Sequence, residues 1–319
     1  MKTIPNHNKH LKICCVLLAA LSLSSAAYAH SNCQTVRFSN VGWTDIAAAT
    51  ASASIILKGL GYQTTTQMLS VPVTYRSLAN KDIDVFLGNW MPSMAADIAK
   101  YKKNGTVDTV RANLTGAKYT LAVPQYVYNA GIHSFADLQK FSDKFHSKIY
   151  GIEPGNDGNR LIQKMINENA FGLKRFDLVE SSEAGMISQL KRAIRRHQWI
   201  VFLGWEPHPM NTNFKIKYLS GGDDYFGPNY GGAKVYTNVR HDYLKECPNV
   251  GQFLKNLKFT LKMENQIMDG IINGGMQPQK AAKAWLQKHP NVLPIWLRGV
   301  RTKSGKPGLP TVRASLGLK

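Results

Sequence analysis

Residues 85–92 read VFLGNWMP and residues 201–207 read VFLGWEP. An apolar, β-branched run that stops at glycine and then presents tryptophan before proline has the pattern of a buried strand and its punctuation. A chain that states this phrase twice is constrained to two similar halves. In open α/β sheets ligands sit beyond the carboxyl ends of the strands, so Trp90 and Trp205 are expected at equivalent places in the two halves. Either tryptophan alone reads equally well as a core residue; the repetition favours the paired reading.

The stretches around the two copies alternate between strand and helix. A strand over 35–41 breaks at Gly42, and a helix follows to about Lys58, with Thr44 or Asp45 able to cap its free N–H groups and Gly59 and Gly61 ending it. A strand at 63–70, a helix over 73–80 and the strand before Trp90 complete a series typical of a parallel sheet covered by helices, and 91–103 resumes as helix. The series restarts near Lys118, with a strand at 119–123, a helix capped by Ser134, a strand at 149–152 and a polar turn, Glu153 to Gly158, that opens a helix from Asn159. That turn lacks the lysine and hydroxyl of a P-loop and the ligand spacing of a calcium loop. It reads instead as a strand-end loop that brings Asn156 near Trp205. A helix over 183–196 feeds the second strand-tryptophan phrase, and a strand over 215–219 follows it. Residues 220–232 are read as the return crossing, because the strand at 235–239 and the helices over 250–273 and 277–288 start no new series. The basic 299–319 segment is read as a poorly ordered tail.

The N-terminus has the pattern of a secretory signal. Lys2, Lys9 and Lys12 precede an apolar run from Ile13 to Leu21, and Ala27-Tyr28-Ala29 is a small-x-small cleavage pattern. The expected mature chain starts near His30, is exported, and contains no later span of membrane length. Two cysteines remain, Cys33 and Cys247, and an even pair in an oxidising compartment predicts a disulfide. With no histidines at ligand spacing they do not read as a zinc site, and neither metal nor cofactor is expected. The formal charge of +20 becomes +17 without the three signal lysines. Such a charge raises nucleic acid or anionic membrane as partners. The basic groups are scattered, however, without an RNA-binding signature or zinc-finger spacing, and they read as solvated faces rather than a nucleic-acid site.

Two halves joined by two crossings make a hinged clamp with Trp43, Trp90, Tyr119 and Trp205 aimed at its cleft. Trp199, Trp285 and Trp296 are assigned to packing. Converging ring faces suit a cation without N–H donors, such as a quaternary ammonium. Asp45 as acceptor and Asn156 as donor and acceptor suit a ligand ending in a hydroxyl, as choline does. A betaine carboxylate would instead want arginine, histidine or backbone N–H groups; His208 is the nearby candidate, though a histidine between Pro207 and Pro209 also reads as a structural one. An enzymatic reading would pair Asp45 with Glu206, but no nucleophile elbow, metal set or Ser/His/Asp arrangement accompanies them.

The segments FSNVGWTDI, LSVPVTY, KDIDVFLGNWMPSM, AKYTLAVP, YGIEPGNDGNRLI and VFLGWEPHPMN resemble the choline-binding proteins of the glycine betaine/choline class of bacterial ABC importers, from about Cys33 to about Trp296. The resemblance implies an α/β, two-lobed periplasmic substrate-binding protein (type II-like) whose hinged lobes each hold a mostly parallel sheet flanked by helices. It implies a signal peptide at 1–29, lobe 1 from 30–117 and 220–319, and lobe 2 from 118–219. It implies an aromatic box of Trp43, Trp90, Tyr119 and Trp205, with Asp45 and Asn156 at the hydroxyl end and a Cys33–Cys247 disulfide. The expected activity is non-enzymatic capture of choline, with acetylcholine or betaine bound more weakly, and delivery to an inner-membrane permease. A betaine or carnitine carrier is the alternative.

Overall fold

The computed structural model describes Met1 and residues 33–318. The signal segment expected at 1–29 lies outside the described residues, apart from Met1. Strands β1 (Thr35–Asn40), β2 (Gln63–Met68) and β3 (Val85–Met91) alternate with helices α1 (Thr44–Gly59), α2 (Val71–Ala79) and α3 (Ala95–Lys103). The long strand β4 (Val107–Pro124) leads to α4 (Gln125–Asn129), a 3-10 helix (Phe135–Phe145), β5 (Lys148–Tyr150) and α5 (Asp157–Asn167). Next come β6 (Asp177–Val179), α6 (Glu183–Arg195), β7 (Val201–Glu206), α7 (Met210–Asn213) and β8 (Ile216–Tyr218). Two short helices, α8 (Asp223–Phe226) and α9 (Pro228–Gly231), precede β9 (Gly232–Arg240). The remainder is helical: α10 (Tyr243–Glu246), α11 (Pro248–Asn256), α12 (Leu261–Ile272), α13 (Pro278–Lys288), α14 (Leu293–Trp296) and α15 (Gly308–Ser315).

The strands join in the order β2-β1-β3-β9-β4-β7-β5-β6, with β8 against β4. At either end lie three strands in parallel pairing, and β9 and β4 run antiparallel between them. The join is made by β4, which pairs with β9 as far as Lys118 and from Lys118 onward with β7. A strand was expected only from Tyr119; it begins twelve residues earlier, at Val107. Residues 107–118 pair with β9 through three register shifts, and each shift interrupts the polar–apolar alternation by which a strand is recognised in sequence.

Both copies of the repeated phrase are strands, but their glycines do not end them. Gly88 lies within β3 and Gly204 within β7. A Cβ at Gly88 would stand 2.6 Å from Ile46 Cδ1, so the missing side chain lets α1 lie close against β3. At Gly204 a Cβ would meet Ala122 Cβ at 3.0 Å and the Tyr218 ring at 3.1 Å. The glycines act by permitting close approach, which is their other common use inside strands.

Helix α1 is rich in alanine and serine, and these small side chains let it sit between the sheet and α12, α13 and α15. The N-cap position is Trp43, whose side chain caps nothing; the side-chain cap expected from Thr44 or Asp45 is absent. After Met91 the helix waits until Ala95 because residues 92–94 form a turn, and the expected 250–273 helix is broken into α11 and α12. The tail is ordered: α15 closes over the end of α1 with Val312 and Leu316 fully buried. Glycine and proline there shape a turn that an apolar pair then anchors, and composition alone does not reveal that anchoring. Cys33 and Cys247 form a disulfide across a sequence separation of 214. No described helix is long and apolar enough to cross a membrane.

Candidate functional site

Trp90 stands near the end of β3, Tyr119 in β4 and Trp205 in β7, where Tyr119 and Trp205 face each other as cross-strand partners. Tyr119 is the hub. Its ring centroid lies 5.7 Å from that of Trp90, 6.5 Å from Trp205 and 6.0 Å from Phe226. Trp43, at the start of α1, completes the set. These four rings, Asp45 and Ile152 line one cavity, and the rings are all buried. Ile152 was not foreseen; an isoleucine just beyond a strand gives no sign of its role in sequence.

Asp45 is 2% exposed. Its Oδ2 accepts the Trp90 indole N–H at 3.2 Å, while Oδ1 has no partner. Burial pushes this carboxyl up to about 7, with the charge of Glu183 adding to the rise. The cavity therefore holds one free, strongly desolvated acceptor among ring faces. Asn156 does not line the cavity. It is the N-cap of α5, its Oδ1 accepting from Asn159 N–H at 3.1 Å and from the Tyr119 hydroxyl at 2.9 Å, while its Nδ2 donates to Asp157 at 3.2 Å. It fixes the rotation of the Tyr119 hydroxyl from behind. The first turn of α5 also presses on this ring: a Cβ at Gly158 would stand 2.3 Å from the Tyr119 hydroxyl oxygen.

Two carboxylates from the β7-β5-β6 end reach over to α1. Glu153 accepts the Trp43 indole N–H. Glu183 accepts Thr44 N–H at 2.8 Å and the Thr44 hydroxyl at 2.6 Å, and so caps α1 from the other half of the molecule. On the same side Arg160 of α5 reaches Asp97 of α3 at 2.6 Å and the Ser93 carbonyl at 3.0 Å. Sequence reading passed over Glu153 and Glu183 because their partners lie more than a hundred residues away in the chain. His208 is buried beside Trp205 and bonded to Glu183 at 3.0 Å. Glu206, considered above as a partner for Asp45, is half-buried and sits 3.8 Å from Lys118.

Of the other tryptophans, Trp296 is buried and donates to the Lys258 carbonyl, Trp199 packs on Phe141 and Phe145, and Trp285 stacks on His289. None of them lines the aromatic cavity.

Residues 34–288 match the family model for the substrate binding domain of ABC-type glycine betaine transport systems. The chain belongs to this family. A solved ABC-transporter choline binding protein in complex with choline is 61% identical, with 89% of this chain and 99% of that chain aligned and a TM-score of 0.88. Lactococcal OpuAC, in its closed-liganded conformation with glycine betaine, is 30% identical over 82% of this chain and 99% of its own, with a TM-score of 0.75. The glycine betaine/carnitine transport binding protein GbuC of Listeria monocytogenes is 29% identical over 163 residues, about half of each protein. The fold is thus the two-lobed α/β fold of these substrate-binding domains, and the chain is the non-enzymatic substrate-binding component of an ABC transporter.

Proposed function

We propose that this substrate-binding domain captures choline in the aromatic cavity and delivers it to the membrane permease of its transporter. The observation that carries the ligand is the pairing of four ring faces with one free buried acceptor, Asp45 Oδ1. Ring faces attract a trimethylammonium without needing hydrogen-bond geometry, each contributing roughly 0.5–2 kcal/mol, so four supply about 2–8 kcal/mol against the ~8 kcal/mol of a micromolar ligand and the hydroxyl contact adds the remainder. The Asp45 oxygen then accepts a hydrogen bond from the ligand's hydroxyl, while Asn156 acts through the Tyr119 hydroxyl. The similarity to a choline binding protein supports the same ligand.

Closure is the second half of the mechanism. Lobe 1 comprises 30–117 and 220–319 and lobe 2 comprises 118–219, a division supported by the change of β4 pairing at Lys118. Trp43, Asp45 and Trp90 belong to the first lobe, and Ile152 and Trp205 to the second, so a ligand touching both favours the closed arrangement. Residues 1–29 act as a signal peptide, which places the mature protein in the periplasm. Calorimetric titration of the mature, ligand-stripped protein with choline and with glycine betaine tests the assignment. Tight choline binding with weaker betaine binding is expected; preferred betaine binding would move the assignment to the betaine carriers.

A further inference from the structure

The Glu183 carboxylate lies outside the cavity lining but is bonded to Thr44, the residue between Trp43 and Asp45, which both line it. Three donors converge on this carboxylate: Thr44 N–H at 2.8 Å, the Thr44 hydroxyl at 2.6 Å and His208 Nε2 at 3.0 Å. The direction of the last bond follows from the other ring nitrogen. His208 Nδ1 accepts Met210 N–H at 2.9 Å, so the proton of the neutral ring is on Nε2 and is donated to Glu183. The first turn of the sixteen-residue helix α1 adds its partial positive charge. Backbone N–H groups at a helix start and a histidine are the donors that a betaine carboxylate would need. Here both are already used by a side chain that is 7% exposed.

The position of this carboxylate matters because Thr44 adjoins Asp45. At the start of α1 three successive residues make different contacts: Trp43 donates to Glu153, Thr44 donates to Glu183, and Asp45 lines the cavity with Oδ2 accepting from Trp90 and Oδ1 unpartnered. A cation in the box meets ring faces and the Asp45 carboxylate. A ligand that joins a trimethylammonium to its own carboxylate meets Asp45 and, behind it, an anion site that is full.

We propose that Glu183 is a built-in anion which fills the carboxylate site of the closed cleft, and that it thereby selects alcohol-bearing quaternary ammonium ligands over carboxylate-bearing ones. It is a specificity-determining residue that acts without touching the ammonium group. This rests on the cavity binding a quaternary ammonium, as proposed above. The same bonds bridge the lobes, so Glu183 also supports closure whichever ligand is present.

Two variants separate these roles. Glu183→Gln keeps an acceptor for Thr44 and removes the charge; Glu183→Ala empties the anion site. In titrations with choline and glycine betaine, both variants should narrow the choline-to-betaine preference by roughly tenfold or more, with betaine affinity rising in absolute terms in at least one of them. Acetate supplies a readout independent of the cavity. It should raise the melting temperature of Glu183→Ala and leave the unaltered protein unchanged. Equal losses for both ligands in both variants, with no acetate effect, would reduce Glu183 to a structural strap and overturn the proposal. Should Glu183→Ala fail to fold, the preference measured in Glu183→Gln decides alone. If the unaltered protein binds no choline, the ligand assignment falls, while the acetate comparison still decides whether Glu183 occupies an anion site.

Discussion

Asp45 carries the charge balance of the cavity. Burial raises its carboxyl to about 7, so near neutral pH the empty closed cavity holds it only partly ionised. A cation among the rings favours the carboxylate and lowers that value, so binding releases a proton in this range. The sign follows: choline affinity should be highest above pH 7 and should fall as pH drops through 7, by at most about tenfold per unit. Titrations between pH 5.5 and 8.5, in buffers of different ionisation enthalpy, would show both the fall and the released proton. Asp45→Asn should abolish that pH dependence and weaken choline; an unchanged pH profile would show that Asp45 does not titrate with the ligand.

Among the elements, helix α5 decides the geometry of the box. Its N-cap Asn156 holds the Tyr119 hydroxyl, and Gly158 in its first turn lies directly against the ring. Gly158→Ala would drive a methyl group to 2.3 Å from the hydroxyl oxygen and 2.7 Å from Leu203 Cδ2. Both atoms belong to the packed sheet, so the helix or the ring must move. A stability loss of about 1–3 kcal/mol is expected, accompanied by weaker choline binding, because overpacking shifts well-packed side chains off their rotamers. Denaturant melts combined with titration test this; full affinity in a destabilised variant would show that Tyr119 does not depend on α5. The glycines of the repeated phrase act in the same manner on α1, since Gly88 lets Ile46, and with it Asp45, approach the strand that bears Trp90.

At the scale of the whole molecule, the two halves share β4 and meet at the aromatic cavity and through polar bonds such as Thr44–Glu183 and Arg160–Asp97, and the Cys33–Cys247 bridge lies elsewhere. The bridge ties the chain just before β1 to the start of α11, far along the sequence. Loop closure of that length restrains the unfolded chain, and removing a native disulfide typically costs about 2–5 kcal/mol. Cys33→Ser should therefore lower the melting temperature clearly while leaving the choline-to-betaine preference unchanged, because neither cysteine lines the cavity. A changed preference would mean that the bridge sets the cleft geometry.

What could be read in the chain and what could not divide along a physical line. Trp90 and Trp205 were legible because each follows a run whose burial on both faces requires continuous apolar residues, and burial of that kind is written locally. The alternation of strand and helix, the two cysteines and the likeness of whole segments to a known class were local too. Tertiary structure decided the rest: that the stretch before Lys118 belongs to β4, that the tail folds onto α1, that Asn156 accepts from the Tyr119 hydroxyl, and that Glu183 and Glu153 close over α1. Each depends on a partner distant in sequence. A carboxylate's pairing is set by where the backbone carries the opposing donor, and nothing in the residues flanking Glu183 encodes the position of Thr44.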